Sequence, residues 1–372
     1  MLYSFDNIAG YWNFRPDIDG LNNIQHCNNY INPYYTIYGL PIEICAAPYE
    51  REVPIHDPDH NFAGTSYELY ENWNPTNKDK PTMGGFVQRE SDKYNSTPGD
   101  ASFVIRAYTE KETQILAYLA QNFGFWDTYY YETDIIDAFM YEWVQDNAMD
   151  KLVHASEFFN DVANGTLPSF SYINPGRPNE AAECCTIDSM HPTSNIAAGE
   201  QLIKYVYDTL RNSKYWESTL FILNFDEHGG FADHVPPPVN VPQPDDKITF
   251  TGESDGHNVT YDFTRLGVRV PSFIISPWIP ANTLIHNQGT SYAPNSAYTH
   301  SSFLHFLQLL WDLPELNNRV SWAKTFEYVF TDKIRTDTPQ VLPTPQWVGG
   351  VSSTEPEPFY LLNQDYSYYA DQ

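Results

Sequence analysis

The stretch Thr219-Leu220-Phe221-Ile222-Leu223-Asn224-Phe225-Asp226-Glu227-His228-Gly229-Gly230-Phe231-Ala232-Asp233-His234-Val235-Pro236-Pro237-Pro238 decides how the rest of the chain is read. Residues 220–225 are uncharged and largely apolar, with the length and composition of a strand buried on both faces. The run stops at Asp226-Glu227-His228 and two glycines, which puts a site at the carboxyl end of a strand. Open parallel sheets bind ligands there, where the loops diverge. Asp226 and Glu227 offer hard oxygen ligands to a divalent metal, while Gly229 and Gly230 allow a sharp turn and a close approach by substrate. His228 and His234 are suited to donate to, or protonate, an oxyanion.

The flanking chain alternates between helix and strand patterns. Residues 195–212 predict a helix capped by Ser194, with Leu202, Val206, Tyr207 and Leu210 as its buried stripe. It leads through Tyr215 and Trp216 into the strand that ends at Asp226. Residues 236–246 read as a proline-rich loop on the pocket rim, and 264–278 as another buried strand. Residues 109–123 predict a scaffold helix with Ile115, Leu116, Leu119 and Phe123 inward and Glu110 and Glu112 in its first turn. Short amphipathic helices are expected over 65–73, 135–147, 149–162 and 302–310, and a strand of the main sheet over 168–175. The fold class is therefore α/β, with a mostly parallel central sheet flanked by helices.

Composition narrows the function. The chain has 372 residues and a formal charge of −28, which disfavours nucleic acid as a partner and suits an extracellular protein working at low pH. No apolar run reaches the length of a membrane span, so stable membrane insertion is not expected. Aromatic content of 16% with 28 prolines and 18% charged residues argues for an ordered, loop-rich globule. Sequons at Asn95, Asn164 and Asn258 are those of a glycosylated secreted protein. Cys27 and Cys45 can bridge; the neighbours Cys184 and Cys185 each need another partner or stay free. Met1 is followed by no basic segment and no apolar core, so no signal peptide is read. His26 is read as a structural hydrogen-bonding residue.

The block at 226–238 resembles the signature of the phosphoesterase family that holds bacterial non-haemolytic and plant non-specific phospholipases C and acid phosphatase A. In detail it is similar to secreted fungal members. Further blocks match: Ser4-Phe5-Asp6, Met83-Gly84-Gly85-Phe86, Asp188-Ser189-Met190-His191-Pro192, and the stretch 264–278. The resemblance implies one alkaline-phosphatase-like phosphoesterase domain over 1–372, a secreted or cell-wall location, and active-site roles for His60 and His191; His300 is a further candidate. It also exposes departures. Met1 and Leu2 occupy the places of a metal-binding Glu-Asn pair, so the start is read as truncated before residue 4. The block with the family's hydroxyl nucleophile is missing near 128–131, so the nucleophile is unknown, and 176–182 reads as an insertion.

The chemistry that unites these pieces is phosphoester hydrolysis, which needs a cationic clamp on the phosphoryl oxygens and an acid for the leaving oxygen. Asp226 and Glu227 are expected to hold the metal, and His60, His191, His228 and His234 to stabilise the phosphate or protonate the leaving group. Oxygen-rich ligation favours Ca, Mg, Mn or Fe over structural Zn. The substrate is a phosphomonoester or a phospholipid head group. The alternative is a family member that keeps the fold without turnover.

Overall fold

In the computed structural model, which describes residues 1–48, 54, 56–132, 146–175, 189–245, 248–291 and 293–346, the chain starts with a short helix, α1 (Phe5–Ala9). The Ser4 hydroxyl caps it by accepting from the Asn7 amide. A hairpin follows, β1 (Cys27–Tyr30) against β2 (Ile42–Cys45), closed at its base where Cys27 pairs with Cys45 and the expected disulfide forms. Next come α2 (Phe62–Tyr70), α3 (Phe86–Tyr94), the single turn α4 (Pro98–Ala101) and α5 (Gln114–Asn122). Strands β3 (Gly124–Trp126) and β4 (Tyr129–Tyr130) then precede α6 (Ala155–Asn164), α7 (Ile196–Arg211) and β5 (Phe221–Asn224). The last part holds the hairpin β6 (Phe250–Ser254) and β7 (His257–Tyr261), then β8 (Ser272–Ile275), β9 (Thr283–Ile285), β10 (Tyr298–Thr299), α8 (His300–Leu310) and α9 (Asn318–Trp322).

The central sheet runs β5-β8-β3-β9. Strand β8 is antiparallel to both β5 and β3, and only β3 and β9 run parallel. The expected mostly parallel sheet is thus corrected to a mixed sheet of mostly antiparallel strands. An apolar run records burial and carries no direction, which is why the sequence misled here. Nor is 220–225 buried on both faces: β5 is the edge strand of this sheet, and Phe221, Ile222 and Asn224 are half-buried. The strands of this sheet with every residue buried are β8 and β3. Gly124 lets β3 come this close to β8, since a Cβ there would meet Ile274 Cγ2 at 2.7 Å.

The helices follow their apolar stripes more closely than their expected ends. Leu202, Val206, Tyr207 and Leu210 are buried on α7, but the cap is Asn195, whose side chain accepts from the Ala197 amide, and not Ser194. On α5, Ile115, Leu116 and Leu119 are buried, and Phe123 just past its end is buried too. Its first turn is not served by Glu110 or Glu112, which bind loop amides of Asn13, Phe14 and Thr109 instead. Buried Glu200 of α7 takes that place, accepting from the Ile115 and Leu116 amides at 2.9 and 3.0 Å. Helix α6 starts only at Ala155, after a single 3₁₀ turn (Met149–Lys151), and ends at Asn164 with Gly165 as its left-handed cap. Residues 168–175 form no strand; Phe170 and Tyr172 are exposed. The expected helix over 135–147 falls almost wholly outside the described residues, as do the insertion at 176–182 and Cys184 and Cys185.

Candidate active site

The end of β5 does present a site. Leu2 pairs in parallel with Glu227, and the Asp226 amide donates to the Met1 carbonyl at 3.1 Å. Neighbours in extended chain face opposite ways, and the two carboxylates part accordingly. Asp226 is exposed, with the Met1 nitrogen 2.7 Å from its Oδ1. Glu227 is buried, with Oε1 3.6 Å from His60 Nε2. Gly229 and Gly230 take left-handed φ values of 61° and 75°. They are needed for packing as well as turning, because a Cβ on Gly230 would lie 2.4 Å from Pro58 Cβ and 2.7 Å from the Asp59 carbonyl oxygen.

That close approach brings the loop 56–61 to the strand end. Its His60 ring meets the His191 ring edge-on, with centroids 6.1 Å apart. Asp57 Oδ1 lies 3.8 Å from His60 Nδ1 and 4.0 Å from His191 Nδ1. Both Asp57 Oδ1 and His60 Nδ1 are buried without a hydrogen-bond partner among the described residues. Such orphaned buried atoms are costly unless something binds them. Burial pushes the His60 pKa below the usual histidine range against the opposing pull of Asp57, which favours the neutral ring. His191 Nδ1 lies 2.9 Å from the Pro192 carbonyl, which leaves Nε2 as its free atom for chemistry.

Helix α3 fixes this loop from behind. Arg89 binds Asp59, Lys93 Nζ lies 3.6 Å from the same carboxylate, and the Tyr94 hydroxyl donates to the Asp57 carbonyl. Glu90 holds His56 Nδ1 at 2.8 Å, and the His56 ring stacks on Tyr94. Neither Asp57 nor α3 was singled out from sequence. The one available signal was the crowding of His56, Asp57, Asp59 and His60 into five residues.

The other expected histidines are placed elsewhere. His228 is fully buried, with Nδ1 3.2 Å from the Phe231 carbonyl and Nε2 3.3 Å from Thr65 Oγ1, and its ring stacks on Tyr131. Burial pulls its pKa down to about 3, so it is a neutral packing residue beneath the cluster. His234 belongs to a separate ion cluster with Asp6, Asp19, Asp233 and Arg269. Burial would lower its pKa, but hydrogen bonds to Asp19 and Asp6 outweigh that and raise it to about 10. The Arg269 guanidinium supplies the positive charge there, donating to Asp233, Asp6 and two backbone carbonyls, so the three carboxylates need no cation. His300 turns its Nε2 to the Phe225 carbonyl at 2.9 Å, at the foot of the same strand end. His26 is held by the Met83 carbonyl at 3.0 Å, the structural role expected of it.

Asp6, Asp233 and His234 also bring donor atoms within 4.8 Å of one another, but around the Arg269 guanidinium; among the described residues the other such group outside the disulfide is at the strand end. Donor atoms of Asp57, His60 and His191 lie within 4.8 Å of one another, with Glu227 on the far side of His60. Two imidazoles and a carboxylate form a mixed nitrogen and oxygen set, suited to Zn, Mn or Fe more than to an all-oxygen Ca site.

Comparison with known proteins agrees with this chemistry. The sequence model of the Phosphoesterase family matches residues 138–314. Non-specific phospholipase C4 of Arabidopsis thaliana is 40% identical over 202 residues, which is 54% of this chain and 36% of the relative. Non-specific phospholipase C1 of the same plant is 29% identical over 401 residues, covering 91% of this chain and 71% of the relative. Over these residues the chain is similar to the phosphoesterase family. Phospholipase C B of Mycobacterium tuberculosis, 28% identical over 170 residues, covers 45% of this chain and 29% of that protein. The chain thus aligns over little more than a third of C4 and under a third of the bacterial relative, but over most of C1. No helix among the described residues is long and apolar enough to cross a membrane.

Proposed function

We propose that the chain hydrolyses phosphoester bonds in the cluster of Asp57, His60, His191 and Glu227. The observation that carries this is the meeting of two histidines and two carboxylates from three distant chain segments, with buried polar atoms of His60 and Asp57 left for a ligand. Asp57, His60 and His191 would hold a divalent metal, with Glu227 on the opposite ring nitrogen of His60. When bound, the ion supplies Lewis acidity toward the phosphoryl oxygens.

The side chains supply the rest. With Nδ1 of His191 engaged by the Pro192 carbonyl, Nε2 would be the nitrogen it turns to the ion. Glu227 orients His60 from the strand end, and α3 holds the loop so that both rings face one point. The relatives named phospholipase C support a phospholipid head group as substrate, with a smaller phosphomonoester as the other reading. An alkaline-phosphatase-like ancestry and a secreted, glycosylated protein accord with this reading. In support, the sequon residues Asn95, Asn164 and Asn258 are all exposed, and the Cys27–Cys45 disulfide suits an oxidising compartment.

The test is hydrolysis of p-nitrophenyl phosphate and of phosphatidylcholine, with and without EDTA and added divalent metals, by the chain and by His60→Ala and His191→Ala. The reading requires losses of roughly 10²-fold or more in both variants. Equal activity in either variant overturns it, and no hydrolysis by the folded chain favours a family member without turnover.

A further inference from the structure

The β1–β2 hairpin carries an apolar tip that the rest of the molecule does not use. Residues 31–42, Ile-Asn-Pro-Tyr-Tyr-Thr-Ile-Tyr-Gly-Leu-Pro-Ile, contain no charged side chain in a protein whose formal charge is −28. Tyr34, Ile37, Tyr38 and Leu40 are 78%, 75%, 95% and 65% exposed. Isolated exposed apolar residues are ordinary, whereas four within seven positions on one projecting loop are not.

The tip is exposed but not loose. Asn32 organises its backbone: its carbonyl accepts from the Tyr35 and Thr36 amides, and its Oδ1 from the Tyr34 amide at 2.9 Å. Its Nδ2 donates to Ser91 and Asn95, which lie on and just past α3. Gln88 of α3 holds Ile31 through both its amide and its carbonyl, at 2.8 and 3.0 Å. Tyr38 and Gly39 then take consecutive left-handed φ values of 56° and 66°, which swing the Tyr38 ring away from the body. A residue other than glycine adopts that conformation at a cost, and here the result is a side chain that touches only solvent.

We infer that this hairpin is a docking surface for a zwitterionic phospholipid bilayer. Tyrosine rings lie at head-group depth with the hydroxyl in water, and Ile and Leu side chains enter the acyl boundary; this tip offers both kinds in one loop. The uncharged tip on an acidic body selects against anionic lipid, because the body's field repels it. Helix α3 joins the tip to the loop of Asp57 and His60, so docking and the cluster share one support. The choice of phospholipid as partner rests on the phosphoester-hydrolase reading; the exposure of the tip does not.

The experiment is cosedimentation of the full chain with phosphatidylcholine vesicles and with vesicles rich in phosphatidylserine. It compares the chain with I37S/Y38S and with L310S/L316S, which removes exposed apolar residues near α8. The expected result is binding to phosphatidylcholine, weaker binding to the anionic vesicles, a partition coefficient lowered roughly tenfold or more in I37S/Y38S, and no change in L310S/L316S. Turnover of p-nitrophenyl phosphate should be equal in all three proteins, and equal melting temperatures show that the tip variant is folded. Absence of vesicle binding by the chain, or equal binding by I37S/Y38S, overturns the inference. So does a concentration-dependent dimer that I37S/Y38S abolishes without any vesicle binding, since the tip would then face a second copy. Vesicle binding without hydrolysis of any phosphoester would sustain the docking surface while refuting the proposed activity, so the two can fail separately.

Discussion

Arg89 of α3 and Asp59 of the site loop form an ion pair buried on both sides, with Nε 2.6 Å from Oδ2. Arg89 also reaches Asp255 and lies over the Trp73 ring, while Asp59 accepts from Asn61, whose side chain caps α2. The pair is therefore the junction through which three segments define where His60 stands.

Removing one partner leaves the other charge buried and unpaired. Arg89→Met should cost about 3 to 5 kcal/mol in urea unfolding, and Arg89→Met/Asp59→Asn should recover part of that loss. Because the loop loses its anchor, kcat should fall more than KM rises in the single variant. A single variant as stable as the parent would show that the junction is dispensable.

Glu200 gives a pH signature. Burial raises its pKa to about 8 against the pull of the two α5 amides, while in the unfolded chain it titrates near the ordinary glutamate value of 4.5. The folded state thus binds more protons between those two values, and stability falls as pH rises through that window, by up to roughly 1.4 kcal/mol per pH unit from this one group. Glu200→Gln keeps an oxygen for the α5 amides and removes the charge. Denaturation midpoints measured from pH 5 to pH 8 should therefore decline less steeply in the variant. Parallel profiles would remove Glu200 as the cause.

Gly230 tests how tightly the strand end and site loop are packed. Alanine there must adopt a φ of 75° and place its methyl into Pro58 and the Asp59 carbonyl. Left-handed strain of about 1–2 kcal/mol and overpacking of about 1–3 kcal/mol should add in thermal or urea unfolding. Phosphoester turnover should fall as well, because the displaced segment carries Asp57 and His60.

The disulfide can be removed without touching the site. Cys27 and Cys45 are separated by 18 positions, and Cys27→Ser/Cys45→Ser should lower unfolding free energy by about 3 kcal/mol on loop-closure grounds. Hydrolysis of a soluble phosphomonoester should be retained. A loss of that activity with the fold intact would mean that the hairpin contributes to the cluster directly.

How much of this was legible depends on what each signal encodes. The stripes of α5 and α7 were read correctly because periodic burial is a local property, and the site at the end of β5 was read from an abrupt change in polarity. Strand direction was not, since it depends on partners far along the chain. Residues 168–175 alternated like a strand but pair with no strand among the described residues. Ser194 and Asn195 are both good caps, and only the geometry of the turn chooses between them. His60 and His191 were linked by family resemblance alone, and Asp57 was hidden in a proline-flanked turn. The tip of the first hairpin could not be singled out, because sequence patterns equate apolar with inside and cannot mark the exceptions.

Helix α3 is nine residues long, about 14 Å from end to end. Gln88 and Ser91 grip the hairpin, and Arg89, Glu90 and Lys93 grip the loop that bears Asp57 and His60. Two ligands that meet opposite sides of so short a strut share one mechanical element, and thermodynamic reciprocity then governs them. Whatever free energy a bilayer gains from an occupied cluster, a phosphate analogue gains in equal measure from a docked hairpin. A lipid surface would then serve this protein as an effector as well as a source of substrate.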